Sequence, residues 1–229
     1  MIDKSISVFM PAYNEEDNIQ SAVLEAEEML KNTTNDYEII VVNDGSTDST
    51  KLILNNLLLK LPCLRVIEHF VNKGIAEAIK SGLFSAKKDL IFYNSADRQA
   101  RMEAIKYFIP LMKDYDIVVG ALRKRRDNLI RRISSTIYHK LISVLFGINL
   151  RNINALKLIK ASAIEDILIE SKSAFVDAEI LIKANKAGYR ITEVEIEHLP
   201  RLKGKQKGAR LSTVLGTIRD LLSLYRKIR

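Results

Sequence analysis

Short runs of apolar, mainly β-branched residues alternate along the first half of the chain with longer segments of mixed polarity. Nearly unbroken Ile, Val and Phe in runs of this length are typical of strands buried on both faces, as in a parallel sheet covered by helices. The alternation therefore predicts an α/β domain with a doubly wound, mostly parallel sheet and helices on both faces. The predicted strands are 6–13, 37–44, 64–69, 89–95 and 115–121, and the predicted helices are 16–31, 47–60, 73–86 and 100–113.

The alternation of strands and helices becomes less regular after Gly120, where the basic stretch "RKRRDNLIRR" follows the fifth strand. Beyond it we predict a long helix at 129–146, a turn at Gly147, and a helix at about 176–187 that ends at Gly188. "YRITEVEIEH", residues 189–198, alternates apolar and polar positions, which is typical of an edge or half-exposed strand.

The C-terminal thirty residues differ from the rest of the chain. "RLKGKQKGA", residues 201–209, is interpreted as a basic flexible loop. From residue 211 the apolar positions recur at spacings of three and four, which predicts an amphipathic helix with a basic polar face; they are Leu211, Val214, Leu215, Ile218, Leu221, Leu222, Tyr225 and Ile228. We divide the chain into a domain at 1–207 and this helix at 208–229.

The net charge of +8 comes from that C-terminal segment. Residues 200–229 hold nine of the 36 Lys and Arg and one of the 28 Asp and Glu, so the first 199 residues are neutral. Two interpretations of the helix stay open: it lies on an anionic membrane surface, or its apolar face packs on the domain or on a second copy in a homo-oligomer. Nucleic-acid binding is not expected, because Tyr225 is the only aromatic residue in the basic tail.

The cellular compartment is expected to be the cytoplasm, at the inner face of the membrane if the basic helix binds lipid. The single cysteine, Cys63, excludes an internal disulfide and a multi-cysteine metal site. The start of the chain does not resemble a secretory signal. No uncharged run is longer than that of residues 141–150, which has about half of the ~20 residues that a membrane-spanning helix needs.

Polar motifs follow the predicted strands at the carboxyl ends, where ligands bind in sheets of this kind. They are "FMPAYNEE" after the first strand, "VVNDGSTDST" after the second and "NKG" at 72–74 after the third. A strand, turn and capped helix would explain either of the first two alone. Together and at this spacing, they resemble family 2 glycosyltransferases, GT-A fold enzymes that transfer a sugar from a nucleotide diphosphate. The pattern is most similar to polyprenyl-phosphate enzymes of the dolichyl-phosphate mannose synthase type, from about residue 5 to 207.

The resemblance implies transfer, with inversion, from a UDP- or GDP-sugar to a polyprenyl phosphate or another membrane-associated acceptor. Asp44 would accept a hydrogen bond from the base, Arg131 would bind the acceptor or diphosphate, and Asp177 would be the base. A plain helix N-terminal carboxylate is the alternative interpretation of Asp177. The residues assigned to the donor pocket are Pro11, Ala12, Tyr13, Glu15, Asp44, Lys73, Ser95, Ala96 and Lys205.

The family's fourth strand ends in two acids separated by one residue, often with Gln one residue later, and these groups hold Mg²⁺ or Mn²⁺ against the diphosphate. Here the motif is "SADRQ", residues 95–99, so a hydroxyl replaces the first acid. Asp97 and Gln99 remain as metal ligands, and the family pattern adds His198. Arg98 would repel the ion or, if it turns inward, replace part of its charge.

Further departures surround the same site. Leu122 stands where relatives usually have arginine, Asn152 where they have aspartate, and Leu156 lies within an altered "NALKL". These changes keep a second hypothesis open, in which the chain is a non-catalytic, nucleotide-binding regulatory or scaffolding subunit. A nicotinamide-dependent oxidoreductase is disfavoured, because the first turn lacks a glycine-rich phosphate loop.

Overall fold

The structure, a computed structural model, describes residues 1–98, 100–123, 129–153, 156–197 and 211–228. The strands are β1 (Ile6–Ala12), β2 (Tyr37–Asp44), β3 (Leu64–His69), β4 (Leu90–Tyr93), β5 (Ile117–Arg123), β6 (Lys157–Lys160) and β7 (Ile191–Glu197). The helices are α1 (Ile19–Lys31), α2 (Thr50–Leu58), α3 (Ile75–Ser85), α4 (Ile105–Phe108), α5 (Leu129–Phe146), α6 (Val176–Lys186) and α7 (Leu211–Ile228).

The strands form one sheet in the order β3-β2-β1-β4-β6-β5-β7. Pairs β1–β2, β2–β3, β1–β4 and β5–β7 are parallel, whereas β6 is antiparallel to both of its neighbours. The predicted doubly wound, mostly parallel sheet is therefore confirmed, and β7 lies at its edge as its alternating pattern indicated. The short strand β6, "KLIK", was not predicted.

The centre of the sheet is buried on both faces, as its apolar runs predicted. Val8 and Phe9 of β1 and residues 39–42 of β2 are fully buried. The Phe9 ring stacks on Tyr93 of β4 at a centroid distance of 4.9 Å. It also contacts α3 closely, since a Cβ on Gly82 would lie 2.3 Å from the ring. These contacts hold α3 and β4 against β1 and so fix the relative positions of the strand ends.

The first three helices begin two or three residues later than predicted, because the preceding backbone groups bind neighbouring loops. The amide of Thr47 donates to the side chain of Asn14, and the amides of Lys73 and Gly74 donate to Asp44. The predicted helix at 100–113 is instead α4 between 3-10 turns at Met102–Ala104 and Ile109–Lys113. Pro110 lies at the start of the second turn, where it removes a backbone donor.

The C-terminal helix α7 packs on the domain through one part of its apolar face. Leu221 and Leu224 are buried, and Tyr225 contacts Phe146 of α5 edge to face at a centroid distance of 6.0 Å. The Asp220 carboxylate accepts hydrogen bonds from the backbone of Lys172 and from the backbone and hydroxyl of Ser173. Four other apolar side chains of α7 are 44–59% exposed: Val214, Leu215, Ile218 and Leu222.

No helix in the described part of the chain is long and apolar enough to cross a bilayer. The predicted flexible loop at 201–209 lies outside the described residues.

Candidate active site

The loops after β1 and β2 bind one another through hydrogen bonds between their motifs. The amide of Asn14 donates to the Ser46 hydroxyl at 2.9 Å, and the Asn14 side chain accepts from the Thr47 amide at 2.8 Å. The Glu15 amide donates to the Thr50 hydroxyl at 2.9 Å. Asn14 has φ of 53°, a left-handed conformation that asparagine tolerates well. The structure thus brings the first two sequence motifs together at one edge of the sheet.

Asp44, at the end of β2, organises the third motif. Its side chain is buried; Oδ1 contacts His69 Nδ1 at 2.7 Å and accepts the Lys73 amide at 2.9 Å, and Oδ2 accepts the Gly74 amide at 2.9 Å. The second ring nitrogen of His69 contacts the Ser81 hydroxyl at 2.9 Å. Asp44 therefore has a fixed orientation before any ligand arrives.

Gly45 permits the loop that carries "NKG" to approach Asp44. Its φ is 68°, and a Cβ at this position would lie 2.5 Å from both the Asn72 nitrogen and the Val71 carbonyl carbon. The Asn72 side chain donates to the Asp44 carbonyl at 3.1 Å. Any side chain on residue 45 would therefore collide with backbone rather than with a movable group.

The residues predicted for the donor pocket border this arrangement. Pro11 and Ala12 pair with Val42 and Asn43 of β2, so they lie at the same sheet edge as Asp44. Ala12 is buried, and Tyr13, next along the chain, is half-buried. Two charged pocket residues differ in their surroundings: the Glu15 carboxylate accepts from Asn18 at 2.8 Å, and the Lys73 side chain is exposed.

The turn after β4 carries the altered metal motif. Ser95 is exposed, Ala96 is buried and Asp97 is half-buried. Arg98 has φ of 55°, and its guanidinium donates to Glu25 of α1 from Nε at 3.2 Å and Nη2 at 3.1 Å. Its charge is thus compensated by Glu25, an arrangement that neither sequence-based expectation for Arg98 included. Among the described residues, no three His, Cys, Asp or Glu side chains gather in a metal-binding group.

Asp177, in the first turn of α6, forms a buried ion pair with Lys157 of β6. Lys157 lies opposite Tyr93 in the β4–β6 ladder, and its ammonium is 4.7 Å from the centroid of the Tyr93 ring. Burial, together with the negative charges of Asp177 and Asp97, raises the pKa of Tyr93 well above its ordinary value. Tyr93 thus lies within electrostatic reach of both Asp177 and Asp97.

The two acids of α6 have opposite pKa shifts. Burial raises the pKa of Asp177, although the charge and hydrogen bond of Lys157 act in the other direction. Burial alone would also raise the pKa of Glu179, but hydrogen bonds from Lys183 and from the amides of Glu170 and Ser171 outweigh it and lower that pKa. Glu179 anchors the loop before α6 through these hydrogen bonds, whereas the partner of the Asp177 carboxylate is Lys157.

Several predicted site residues cannot be assigned a position. Gln99, His198 and Lys205 lie outside the described residues, and Arg131 lies in α5 with its side chain outside them. The side chain of Leu122 is likewise not described.

Two of the departures noted in the sequence lie in the protein interior. Asn152 and Leu156 are both buried. A Cβ on Gly120 would meet Leu156 at 3.0 Å and Ile196 at 2.6 Å, so Leu156 fills the space that the glycine leaves.

Sequence reasoning missed His69, Lys157 and Glu25, the partners of Asp44, Asp177 and Arg98. His69 ends the predicted third strand, and that position was the one available signal. Lys157 and Glu25 gave none, because a lysine in a short strand and a glutamate in a helix are ordinarily solvent-exposed.

Residues 7–169 match the profile described as glycosyl transferase family 2. The chain belongs to glycosyl transferase family 2. The family resemblance drawn from the three motifs is therefore confirmed.

Two curated relatives cover most of the chain. An undecaprenyl-phosphate 4-deoxy-4-formamido-L-arabinose transferase from Aeromonas hydrophila is 28% identical over 208 residues, which are 89% of this chain and 63% of that protein. A transferase of the same name from Serratia proteamaculans is 28% identical over 225 residues, which are 96% of this chain and 67% of the Serratia protein. The chain thus spans slightly less than two thirds of the Aeromonas protein.

Solved structures support the fold. Glucosyl-3-phosphoglycerate synthase from Mycobacterium tuberculosis, crystallised with Mn²⁺, UDP and phosphoglyceric acid, superposes with a TM-score of 0.75 at 18% identity, covering 97% of this chain and 78% of that one. The same enzyme with Mg²⁺ and UDP gives a TM-score of 0.73 at 17% identity, covering 96% and 79%. The GT-A fold predicted from the sequence is confirmed.

Proposed function

We propose that the chain transfers a sugar, with inversion, from a nucleotide diphosphate donor to a polyprenyl phosphate. The observation that carries the proposal is the alignment of 89–96% of the chain with transferases named for undecaprenyl phosphate. The interlocked loops at the carboxyl ends of β1, β2 and β3 support it, because they orient the buried Asp44 carboxylate at the sheet edge where the family resemblance predicts the nucleoside.

Asp44 is the proposed reader of the base. A carboxylate has about four acceptor positions, and three are used by His69, Lys73 and Gly74. The remaining position can accept a ring N–H of uracil or guanine. Pro11, Ala12, Tyr13 and Glu15 would complete the pocket around base and ribose, and Lys73 extends its exposed ammonium toward solvent where a diphosphate can meet it.

A divalent cation fits the residues present if the donor supplies most of its ligands. Mg²⁺ is commonly held by one or two carboxylates together with substrate phosphates and water. Asp97 offers one carboxylate and Ser95 a hydroxyl, with Gln99 and His198 as further proposed ligands. When bound, the ion would neutralise charge on the leaving diphosphate. Glu25 compensates Arg98 beside this turn, which reduces repulsion of the cation.

Asp177 is the proposed base, and Arg131 the proposed cation for acceptor or diphosphate. A phosphate acceptor has its second pKa near 6, and its remaining proton must leave before or during attack on the sugar. The raised pKa of Asp177 is closer to the second pKa of the acceptor phosphate than an ordinary aspartate pKa is. This match favours proton transfer from the phosphate to Asp177.

Membrane contact is proposed for the side of α7 that faces away from the domain. Leu215 is 59% exposed and Leu222 is 46% exposed, with Arg219 and Arg226 on the same helix. Apolar burial combined with attraction of basic residues to anionic lipid gives interfacial binding. Sedimentation with vesicles of anionic and neutral lipid tests this, and Leu215→Asp should abolish binding if the exposed face inserts. Equal sedimentation of that variant would refute the assignment.

A transfer assay tests the proposed reaction. The chain is incubated with undecaprenyl phosphate in detergent, Mn²⁺ and single UDP- or GDP-sugars, and the lipid product is identified by mass spectrometry. Product is expected from one donor class and should fall at least about 100-fold in Asp97→Asn, because metal-site carboxylates stabilise the leaving diphosphate.

The same assay distinguishes a transferase from a non-catalytic subunit. The non-catalytic alternative is favoured by Ser95, because this residue replaces the first carboxylate of the family's metal motif. A folded protein that binds nucleotide but yields no product, even with Ser95→Asp, would support a regulatory or scaffolding subunit. Product from the unaltered chain would exclude that alternative.

A further inference from the structure

Lys157 is one of the most buried charged side chains described in this protein. Its side chain is 1% exposed, and that of its partner Asp177 is 7% exposed. The ammonium also lies over the Tyr93 ring. By contrast, Lys160 at the other end of β6 is 30% exposed and pairs with Asp116 at 2.8 Å. One short strand thus carries a surface ion pair at one end and a buried one at the other.

Stability alone does not explain the buried pair. Removing two charges from water carries a desolvation penalty that their attraction often only offsets, and apolar replacements of similar size are commonly neutral or stabilising. Glu179, in the same turn of α6, shows what a purely structural acid looks like here: Lys183 and two backbone amides hold both of its oxygens. In the described part of the chain, Asp177 is held by Lys157 alone, through Oδ1.

The location of the pair points toward the active site. Lys157 is opposite Tyr93, the last residue of β4, and the next residues along the chain lead into the turn that carries Asp97. Among the described residues, Tyr93 from β4 and Tyr138 from α5 are further titratable groups that interact electrostatically with Asp177. The Tyr138 hydroxyl is buried with no hydrogen-bond partner among the described residues. The carboxylate therefore lies between the strand that carries the metal motif and the helix that carries Arg131.

We propose that Lys157 is a positioning residue that holds the Asp177 carboxylate, ionised and in one orientation, for proton transfer from the acceptor. This inference rests on the proposed glycosyl transfer and deepens it. Without the ammonium, the buried carboxylate would take up a proton and lose its fixed rotamer, so the donor would still bind but the chemical step would slow.

The test compares Lys157→Met with Asp177→Asn, with the double variant and with Lys160→Met as a matched control from the same strand. Lys157→Met should lower kcat at least about tenfold while the KM for the donor stays within about threefold. A general base typically accelerates a reaction on the order of 10²–10⁴-fold, and Asp177 should keep part of that effect in the variant. The acid limb of its pH–kcat profile should move to higher pH. The double variant should be no slower than Asp177→Asn, since residues that act as a unit are not additive. Lys160→Met should behave as wild type.

Multiplicative losses in the double variant, or an unmoved acid limb with unchanged kcat, would overturn the role of Lys157 while leaving the transfer reaction intact. An unaltered chain with no transfer activity would refute the proposed function and this inference with it. If Lys157→Met does not fold, Lys157→Gln, which retains a hydrogen-bond donor without the charge, carries the same comparison. Wild-type kcat and pH profile in that variant would overturn the proposal.

Discussion

Replacing Gly45 by alanine tests the arrangement that holds the three motifs together. At φ of 68° an alanine costs roughly 1–2 kcal/mol relative to glycine. Its Cβ would also lie 2.5 Å from the Asn72 nitrogen and the Val71 carbonyl carbon, which cannot rotate away, and overpacking of this kind typically costs about 1–3 kcal/mol. Alanine also lowers the conformational entropy of the unfolded chain, which stabilises the folded state by roughly 0.4–1 kcal/mol. The expected net loss is about 1–4.5 kcal/mol, with a central value near 3 kcal/mol.

Gly147→Ala is the matched control for this substitution. Gly147 has a similar φ of 74°, but an added Cβ would have no neighbour within 4 Å, so its loss should stay near 1 kcal/mol. Urea unfolding followed by circular dichroism gives both values. Gly45→Ala should also weaken UDP binding, because the displaced loop would withdraw two amides from Asp44. Losses that agree within about 0.5 kcal/mol for the two variants would refute the proposed backbone collision.

Three further predictions concern other parts of the molecule. Ser95→Asp should tighten Mn²⁺-dependent UDP binding about tenfold in calorimetry, because it adds a carboxylate beside Asp97; unchanged affinity would argue against a cation at this turn. Burial opposes ionisation of Glu38, but hydrogen bonds from Ser7, Arg65 and the Lys87 amide prevail and lower its pKa from 4.5. The stabilisation of the fold by these hydrogen bonds should be complete above pH 4.5 and be lost as the pH falls through the lower folded-state pKa of Glu38. In urea unfolding, the free energy of unfolding of Glu38→Gln should therefore fall less steeply at acid pH than that of wild type. A decline as steep as that of wild type would contradict this assignment. Asp220→Ala removes the acceptor of three hydrogen bonds and should accelerate tryptic cleavage within α7 about tenfold or more, with Asp3→Ala as the control; equal cleavage rates would show that other contacts anchor the helix.

The apolar pattern predicted most of the fold because buried parallel strands have a distinct composition. It failed at β6, whose four residues begin and end with lysine and give no run long enough to recognise. It also placed helix starts too early, because amides such as those of Thr47 and Lys73 serve contacts between loops that are distant in sequence. Local propensity does not contain those contacts.

The motifs predicted candidate site residues at the carboxyl ends of the strands, but not what each one binds within the protein. The motif predicts that Asp44 binds the base, whereas its three donors come from two later segments of the chain. Arg98 could be seen as a change in the metal motif, but its pairing with Glu25 depends on the packing of α1 against the β4 turn. Burial of Lys157 likewise follows from the sheet order rather than from its neighbours in sequence.

Calorimetric titration of UDP and GDP, each with and without Mn²⁺, into the unaltered chain and Asp44→Asn tests whether Asp44 binds the base of the donor. We expect binding that selects one base, tightens with Mn²⁺ and weakens at least about tenfold in the variant, since a charged hydrogen bond is worth roughly 1.5–3 kcal/mol. A folded protein that binds neither nucleotide would contradict the proposed donor site.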